Sequence, residues 1–341
     1  ETIRTRDIIP VDLNAFLYKA ERRLAAFYAR LGRQDDAARF AEKARTRRDV
    51  MNATFWDPSC RRWRDVLKDW TYASPDPVLS DYAPLWAGIG PPDGDVDGLI
   101  ENLEASGLIC EFGVRCTCVT TGEQWDAPNA WPPLQHMIIE GLQRCGHPDG
   151  QQLAQVLAAA WVGSNFVAWR RSGFMFEKYD ATRIGEGGGG GEYTPQTGFG
   201  WSNGVVLKLL AVYGATLEFV EGGRDKDPRP MYNSRYAQHR ILDAWAGQDA
   251  YVLPKQLTPR QLAALDVDSI GEPSRRGILD DLAVSNRGSI ALRDRNAAAT
   301  RAEDLPIVQK AEPARLATSQ HHNAAAGVEK KYAHEGRAQI S

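Results

Sequence analysis

The chain has 341 residues, of which 43% are hydrophobic and 25% are charged, and its formal net charge is −3. These values are typical of a globular protein with one large or two ordinary domains, and the small negative charge gives no reason to expect nucleic acid as a partner. No run of apolar residues approaches the roughly 18 that a membrane-spanning helix needs.

The first predicted elements are two helices. Residues 12–32 show helical periodicity and end at Gly32, a common C-terminal stop. We expect Asp35 or Asp36 to cap a second helix, which runs to about Trp56. The apolar face of the first helix consists of Leu13, Phe16, Leu17, Ala20, Leu24, Phe27 and Leu31.

More helices are predicted up to about residue 213, and segment 150–171 is apolar on most of its surface, as in a helix packed on both sides. Strand signals are short and confined to places such as 108–120. Helices joined by loops rich in Gly, Pro and Trp indicate an all-α fold whose loops carry the chemistry. The other predicted helices cover residues 78–89, 95–106, 134–145 and 203–213.

The composition changes near residue 222. All ten phenylalanines and nine of the ten tryptophans lie at or before Phe219. Residues 223–341 contain 18 Lys and Arg against 15 Asp and Glu, so their net charge is +3, whereas that of the preceding residues is −6. The Gly- and Pro-rich stretch that begins at Gly222 has the chemistry of a linker.

The C-terminal part has few large apolar side chains. Two short helices are expected in it, near 259–266 and 274–285, but so little burial struggles to offset the entropy of ordering the chain. We therefore divide the chain into a folded part, residues 1–221, and a linker with a poorly ordered tail of unknown role, residues 222–341.

The cysteines and the tail histidines give no sign of a metal site. An odd number of cysteines without CxxC spacing favours buried, small hydrophobic roles, and it does not settle the compartment. The five are Cys60, Cys110, Cys116, Cys118 and Cys145. His321, His322 and His334 lack an accompanying set of Cys or acidic ligands, so we expect no metal.

One loop has the composition of a sugar-binding surface. Residues 124–133 read Gln-Trp-Asp-Ala-Pro-Asn-Ala-Trp-Pro-Pro. Indole rings stack on the apolar faces of a sugar, and amides and carboxylates hydrogen-bond its hydroxyl groups. The candidate contacts are Trp125, Asp126, Asn129 and Trp131. On the loop alone, a tryptophan-rich core loop explains the composition equally well.

A second unusual segment follows the longest predicted helix. Residues 177–205 read Glu-Lys-Tyr-Asp, six further residues, five glycines, and then Glu-Tyr-Thr-Pro-Gln-Thr-Gly-Phe-Gly-Trp-Ser-Asn-Gly-Val. The glycines lack the framing of a phosphate loop, and the aromatic residues after them are not typical of a linker. They indicate backbone that approaches a ligand closely or adopts a positive φ.

This segment also holds the carboxyl groups that could carry acid–base chemistry. Glu177 and Glu192 are the candidates, because cleavage of a glycosidic bond uses a pair of carboxyl groups. Trp201 and Asn203 are weaker candidates for sugar contacts. Taken alone, Glu177 reads as a surface residue paired with Lys178.

Three segments together resemble the signatures of the trehalases, glycoside hydrolase family 37, and their sequences are similar to those of plant members. They are 124–133, 177–205 and 8–17, the last reading Ile-Ile-Pro-Val-Asp-Leu-Asn-Ala-Phe-Leu. The resemblance covers roughly residues 5–220 and the C-terminal portion of a trehalase. It implies a partial (α/α)6 toroid, about the second half, with the active site at one end.

The resemblance also implies a function. Trehalases hydrolyse α,α-trehalose to two glucoses by an inverting acid–base mechanism, without a metal or organic cofactor, and plant members are expected at the plasma membrane or cell exterior. Carried onto this sequence, Glu177 is the general base and Glu192 contacts a glucose hydroxyl. Their separation of 15 residues matches the family. The glycines 187–191 would form a lid-like loop over the sugar.

One family feature is absent from the printed sequence. The general acid of the trehalases is an aspartate in a Gly-Trp-Asp string, and Trp125-Asp126 belongs to the other signature. A missing proton donor lowers the rate by about 100- to 10,000-fold. Three hypotheses stay open: a hydrolase whose acid comes from other sequence, a catalytically inactive fragment or sugar-binding module, and, more weakly, a helical interaction scaffold. The oligomeric state is not indicated.

Overall fold

The computed structural model describes residues 4–221 and 250–265. Within this part of the chain most residues are helical and the strands are only two to five residues long, which confirms the all-α class. The helices are α1 (Val11–Arg30), α2 (Gln34–Phe55), α3 (Ala83–Ala87), α4 (Val96–Ala105), α5 (Pro132–Arg144), α6 (Pro148–Ser172), α7 (Gly200–Tyr213) and α8 (Pro259–Ala263).

The helices begin and end where the local sequence favours it. Proline is the first residue of α5 and of α6, a position whose N–H has no helical partner in any case. Gly32 (φ 73°) follows α1 and Gly173 (φ 78°) ends α6, both in the left-handed region that favours glycine. The expected cap of α2 is wrong: the capping position is Arg33, and Asp35 and Asp36 lie in the first turn, where they interact favourably with the helix dipole.

The helices pack with their neighbours in sequence, as in part of an (α/α)6 toroid. The connection between α1 and α2 is three residues long, so the two helices lie side by side in opposite directions and form the largest helix–helix interface. α5 packs against α3, α6 and α7. α6 is buried along almost its whole length, as predicted, because helices and two short strands, Gly113–Val114 and Ala250–Pro254, surround it.

The predicted apolar face of α1 is exposed. The buried residues of α1 are Val11, Ala15 and Tyr18, which form a narrower stripe that shares no residue with the predicted face. The large apolar side chains that remain exposed are those of Leu13, Phe16, Leu17, Leu24, Phe27 and, just beyond the helix, Leu31. Periodicity thus located the helix correctly but not the face that packs against the rest of the described chain.

The strands form five antiparallel pairs among the described residues. One pair, β7 (Asn129–Ala130) with β8 (Tyr179–Asp180), joins the tryptophan-rich loop to the segment that holds Glu177; Asn129 lies opposite Asp180 and Ala130 opposite Tyr179. The strands are β1 (Ile8–Ile9), β2 (Trp56–Asp57), β3 (Arg62–Trp63), β4 (Val66–Leu67), β5 (Ile109–Cys110), β6 (Gly113–Val114), β7 (Asn129–Ala130), β8 (Tyr179–Asp180), β9 (Leu217–Glu221) and β10 (Ala250–Pro254).

Residues 250–265, which composition assigns to the tail, pack on the helical body. β10 pairs with β9, and the side chain of Gln143 donates a hydrogen bond to the Leu262 carbonyl at 2.7 Å. α8 matches the first half of the helix expected at 259–266. The helix expected at 274–285 and the tail histidines lie outside the described residues.

Two smaller expectations concern the cysteines and membranes. None of the five cysteines forms a disulfide bond; Cys110 and Cys116 are buried as expected, whereas Cys118 is exposed. Within the described ranges, no helix combines the length and the apolar character that crossing a membrane requires.

Candidate active site

Glu177 lies in the extended segment between α6 and α7, and it is only 7% exposed. Its Oε2 accepts a hydrogen bond from the backbone N–H of Gln196 at 3.1 Å, and its own N–H donates to the Gln196 carbonyl at 2.9 Å. The indole N–H of Trp201 donates to the Glu177 carbonyl at 3.0 Å. Main-chain and side-chain bonds therefore hold this carboxylate next to the first turn of α7.

Three tryptophans form a continuous aromatic contact that reaches Glu177. The rings of Trp125 and Trp131 stack with their centroids 4.2 Å apart, and Trp201 meets Trp131 edge-on at 5.8 Å. Trp131 is buried, whereas Trp125 is 46% exposed. The exposed indole of Trp125 is thus supported from below by a fixed ring, as a sugar-stacking surface requires.

Asp126 shapes the loop that presents these rings. Its Oδ2 accepts hydrogen bonds from the Thr121 hydroxyl at 2.8 Å and from the backbone N–H groups of Gly122 at 2.8 Å and Glu123 at 3.2 Å. Burial pushes the pKa of Asp126 upward, but these hydrogen bonds outweigh it and the pKa is lowered. The carboxylate is therefore ionised and occupied by its own loop.

Asn129 joins the tryptophan loop to the glycine run. Its amide donates to the Asp126 carbonyl at 2.9 Å, and its Oδ1 accepts the N–H of Gly189 at 3.0 Å. The side chain is buried. The side chains of Asp126 and Asn129, both predicted as sugar contacts, thus form hydrogen bonds with neighbouring loops of the protein in this structure.

The glycine run passes directly against the tryptophan loop, which explains its composition. A Cβ on Gly188 would lie 2.3 Å from Oδ1 of Asn129, and one on Gly190 would lie 2.7 Å from the Glu123 carbonyl oxygen. Gly190 and Gly191 have φ of 80° and 77°, in agreement with the expected positive φ. The close approach that the glycines allow here is to protein rather than to open space.

Lys178 is a site residue that sequence reasoning did not find. Its side chain is fully buried, and its Nζ donates to the carbonyls of Gln124 at 3.1 Å and Gly189 at 2.5 Å. The ammonium also lies 5.1 Å from the ring centroids of both Trp131 and Tyr193. The pairing of Glu177 with Lys178 is therefore not what the structure shows. A lysine between two aromatic neighbours, Phe176 and Tyr179, was the available signal.

The remaining two candidates are exposed. Glu192 follows the glycine run, and Asn203 lies in the first turn of α7. Among the described residues, no hydrogen bond or ion pair joins either side chain to Glu177. Burial and the negative charge of Glu177 raise the pKa of Tyr193, which is next to Glu192. The phenol of Tyr193 therefore interacts electrostatically with the Glu177 carboxylate.

One group of described residues has metal-ligand geometry, but it lies away from this site. Asp97, His147 and Asp149 bring one ligand atom each within 4.8 Å of one another. They occupy the N-terminal ends of α4 and α6, where the helix dipole stabilises acidic groups and opposes a cation. Tyr179, two residues after Glu177, packs instead on Trp161 near the middle of α6, about 20 Å along the helix from Pro148.

Comparison with known proteins identifies the family of this chain. The family model described as Trehalase matches residues 1–214. A probable trehalase of Oryza sativa subsp. japonica is 37% identical over 232 residues, which cover 62% of this chain and 41% of that protein. The trehalase of Homo sapiens is 39% identical over 216 residues, which cover 63% of this chain and 37% of that protein.

Solved structures give lower similarity. The neutral trehalase of Saccharomyces cerevisiae is 21% identical with a TM-score of 0.48, covering 76% of this chain and 44% of that one. A GH63 mannosylglycerate hydrolase from Thermus thermophilus, in complex with glucose, is 24% identical with a TM-score of 0.47, covering 60% and 48%. The chain spans only 36% to 41% of the length of the first three relatives.

Proposed function

Since the chain belongs to the trehalase family, we propose that it takes part in the hydrolysis of α,α-trehalose to two glucoses, with Glu177 as the general base. The observation that carries the proposal is the buried Glu177 carboxylate, held by the N–H of Gln196 beside an aromatic contact that ends in the exposed ring of Trp125. In this proposal Trp125 and Trp131 form the sugar-stacking surface, and Glu192, Trp201 and Asn203 contact the sugar.

The base acts on water. Oε2 of Glu177 is held by the Gln196 N–H, and among the described residues no hydrogen bond engages Oε1. Water bound at Oε1 gives it a proton while its oxygen attacks the anomeric carbon, and the glycosidic bond breaks from the opposite face. Because water attacks the face opposite the leaving glucose, the configuration inverts at the attacked carbon only. One glucose is therefore released as the β anomer and the other as the α anomer.

The departing glucose needs a proton, and Asp126, the carboxylate of the tryptophan loop, is not suited to supply it. Asp126 is ionised, and its Oδ2 accepts four hydrogen bonds, the fourth from the backbone N–H of Thr121, so it has neither a proton to give nor a free Oδ2. The 341 residues contain no Gly-Trp-Asp string. We therefore assign the general acid to polypeptide outside this sequence, and we expect this chain alone to be slower than a whole trehalase by about 100- to 10,000-fold.

A second function is favoured by the same absence. A chain with an exposed, supported tryptophan and no proton donor can bind a sugar without cleaving it, as a sugar-binding module or inactive fragment of the family. The two functions share a binding surface and differ in turnover.

The test is to follow trehalose and the 341-residue chain by calorimetry and by proton NMR, with a whole trehalase measured in parallel. We expect sugar binding, slow glucose release, and equal α and β anomers at early times. Absence of sugar binding would overturn both functions. Release at the rate of the whole enzyme would overturn the assignment of the acid, and α-glucose alone would overturn inversion.

A further inference from the structure

The side chains of Glu177 and Lys178 have opposite surroundings. They are consecutive in extended backbone, where successive side chains point to opposite faces. Oε2 of Glu177 is bonded to Gln196 N–H, whereas Nζ of Lys178 is bonded to the carbonyls of Gln124 and Gly189. The lysine thus lies between the tryptophan loop and the glycine run.

A buried ammonium needs several partners, because removing it from water is costly. Lys178 has carbonyl acceptors from both segments and the faces of Trp131 and Tyr193 at 5.1 Å each. Burial lowers its pKa, while the charge of Glu177 acts in the other direction. Since the partners come from two loops, the ammonium is satisfied only when those loops lie together.

The glycine run is fastened at successive residues. The N–H of Gly188 donates to the Lys178 carbonyl at 3.0 Å, and the N–H of Gly191 donates to the Gly122 carbonyl at 2.8 Å. On the far side, Gln196 is bonded to Glu177 through both of its backbone groups. Between these attachments lies a four-residue tip, 192–195, whose residues are mostly exposed.

We propose that Lys178 is a positioning residue of the site: its ammonium fastens the glycine run to the tryptophan loop and so sets the distance between the sugar-stacking rings and Glu177. The sugar-related part of this inference rests on the proposed function. It also limits the lid-like element to the tip 192–195, because the glycines before it are held from both sides.

The first test uses hydrogen exchange and does not need a substrate. In the unmodified chain the amides of Gly189 and Gly191 exchange at least tenfold more slowly than those of residues 192–194. Lys178→Met, which keeps the length of the side chain but removes the ammonium, speeds exchange at Gly189 and Gly191 at least tenfold. Lys68→Met, at an exposed lysine, is the matched control and leaves both amides unchanged.

The second test asks whether position matters for the sugar. Lys178→Met weakens trehalose binding in calorimetry at least fivefold, and Lys178→Arg, which keeps a charged donor, restores at least half of the lost binding energy and the slow exchange. A merely space-filling role predicts no such rescue, and that result would overturn the proposal.

The two proposals fail separately. If Lys178→Met alters exchange but the unmodified chain binds no sugar, the proposed function is wrong and the fastening role stands. If the unmodified chain binds trehalose and Lys178→Met changes neither exchange nor affinity, the role of Lys178 is wrong. Should Lys178→Met not fold, rapid exchange at Gly189 in the unmodified chain would by itself contradict the proposal.

Discussion

Glu177 and Gln196 are joined twice, by the 2.9 Å bond between their backbones and by the 3.1 Å bond from the Gln196 N–H to Oε2 of Glu177. The second bond holds Oε2 in place, because a backbone N–H can only donate and its partner must be an acceptor. The arrangement leaves Oε1 for water. The part of the chain after the glycine run therefore sets the position of the proposed base.

Replacement of the exposed tryptophan tests the sugar surface. Trp125→Ala removes the outer ring of the 4.2 Å stack and should weaken trehalose binding by about 1–2 kcal/mol, or roughly 5- to 30-fold in Kd. Calorimetry measures the affinity. Trp70→Ala, which removes a more exposed indole outside this loop, serves as the control and should leave the affinity unchanged. Equal affinities for the two variants would exclude Trp125 as a sugar contact.

Two neighbouring glycines give a matched pair for the packing of the glycine run. Gly188→Ala places a methyl group 2.3 Å from Oδ1 of Asn129 and 3.0 Å from Cγ of Lys178, so the free energy of unfolding should fall by about 1–3 kcal/mol. Gly189→Ala meets no atom within 4 Å and should change it by less than about 1 kcal/mol. Chemical denaturation measures both. Similar losses would contradict the close approach at Gly188.

Acid stability should depend on a buried glutamate in α5. Glu140 accepts hydrogen bonds from the Trp86 indole at 3.0 Å and from Nε2 of His136 at 2.8 Å, and it pairs with Arg144. Burial raises its pKa, but the His136 hydrogen bond and the charges of His136, Arg144 and Lys19 outweigh that effect and lower the pKa to about 2.

The sign follows from this lowered pKa. The ionised Glu140 stabilises the fold above its unfolded pKa of about 4.3, and this stabilisation is lost as the pH falls from there through about 2. Between pH 5 and pH 2 the wild-type chain should therefore lose about 3 kcal/mol more unfolding free energy than Glu140→Gln. Denaturant titrations at several pH values measure this difference. Parallel pH dependence of the two proteins would contradict the proposed stabilisation.

The sequence was informative where structure depends on neighbours along the chain. Periodicity and the Pro and Gly punctuation located the helices that the structure has, including the buried α6. The exposed face of α1 was not foreseeable, because a pattern of Leu and Phe marks an apolar stripe but does not say what covers it. The β9–β10 pair was missed because its strands are separated by many residues and have no hairpin signal.

In the candidate site, too, local sequence predicted some features, whereas others depend on contacts between distant segments. The motifs named Glu177 and the tryptophans, and the structure connects them through the Trp131–Trp201 contact. The turn made by Asp126 and the direction of Lys178 depend on where the loops fold back. Asn129 and Gly189 are 60 positions apart, and their hydrogen bond cannot be deduced from either local sequence.

The most direct test of Glu177 as the base uses α-glucosyl fluoride, because fluoride leaves as a stable anion and needs no general acid. Fluoride release by the 341-residue chain then reports the activation of water alone. Glu177→Gln keeps an acceptor for the Gln196 N–H but cannot take a proton, whereas Glu186→Gln changes an exposed carboxylate of the same segment. We predict release by the wild type and by Glu186→Gln, and a rate at least about 100-fold lower for Glu177→Gln. A wild-type rate no higher than that of Glu177→Gln would contradict the assignment.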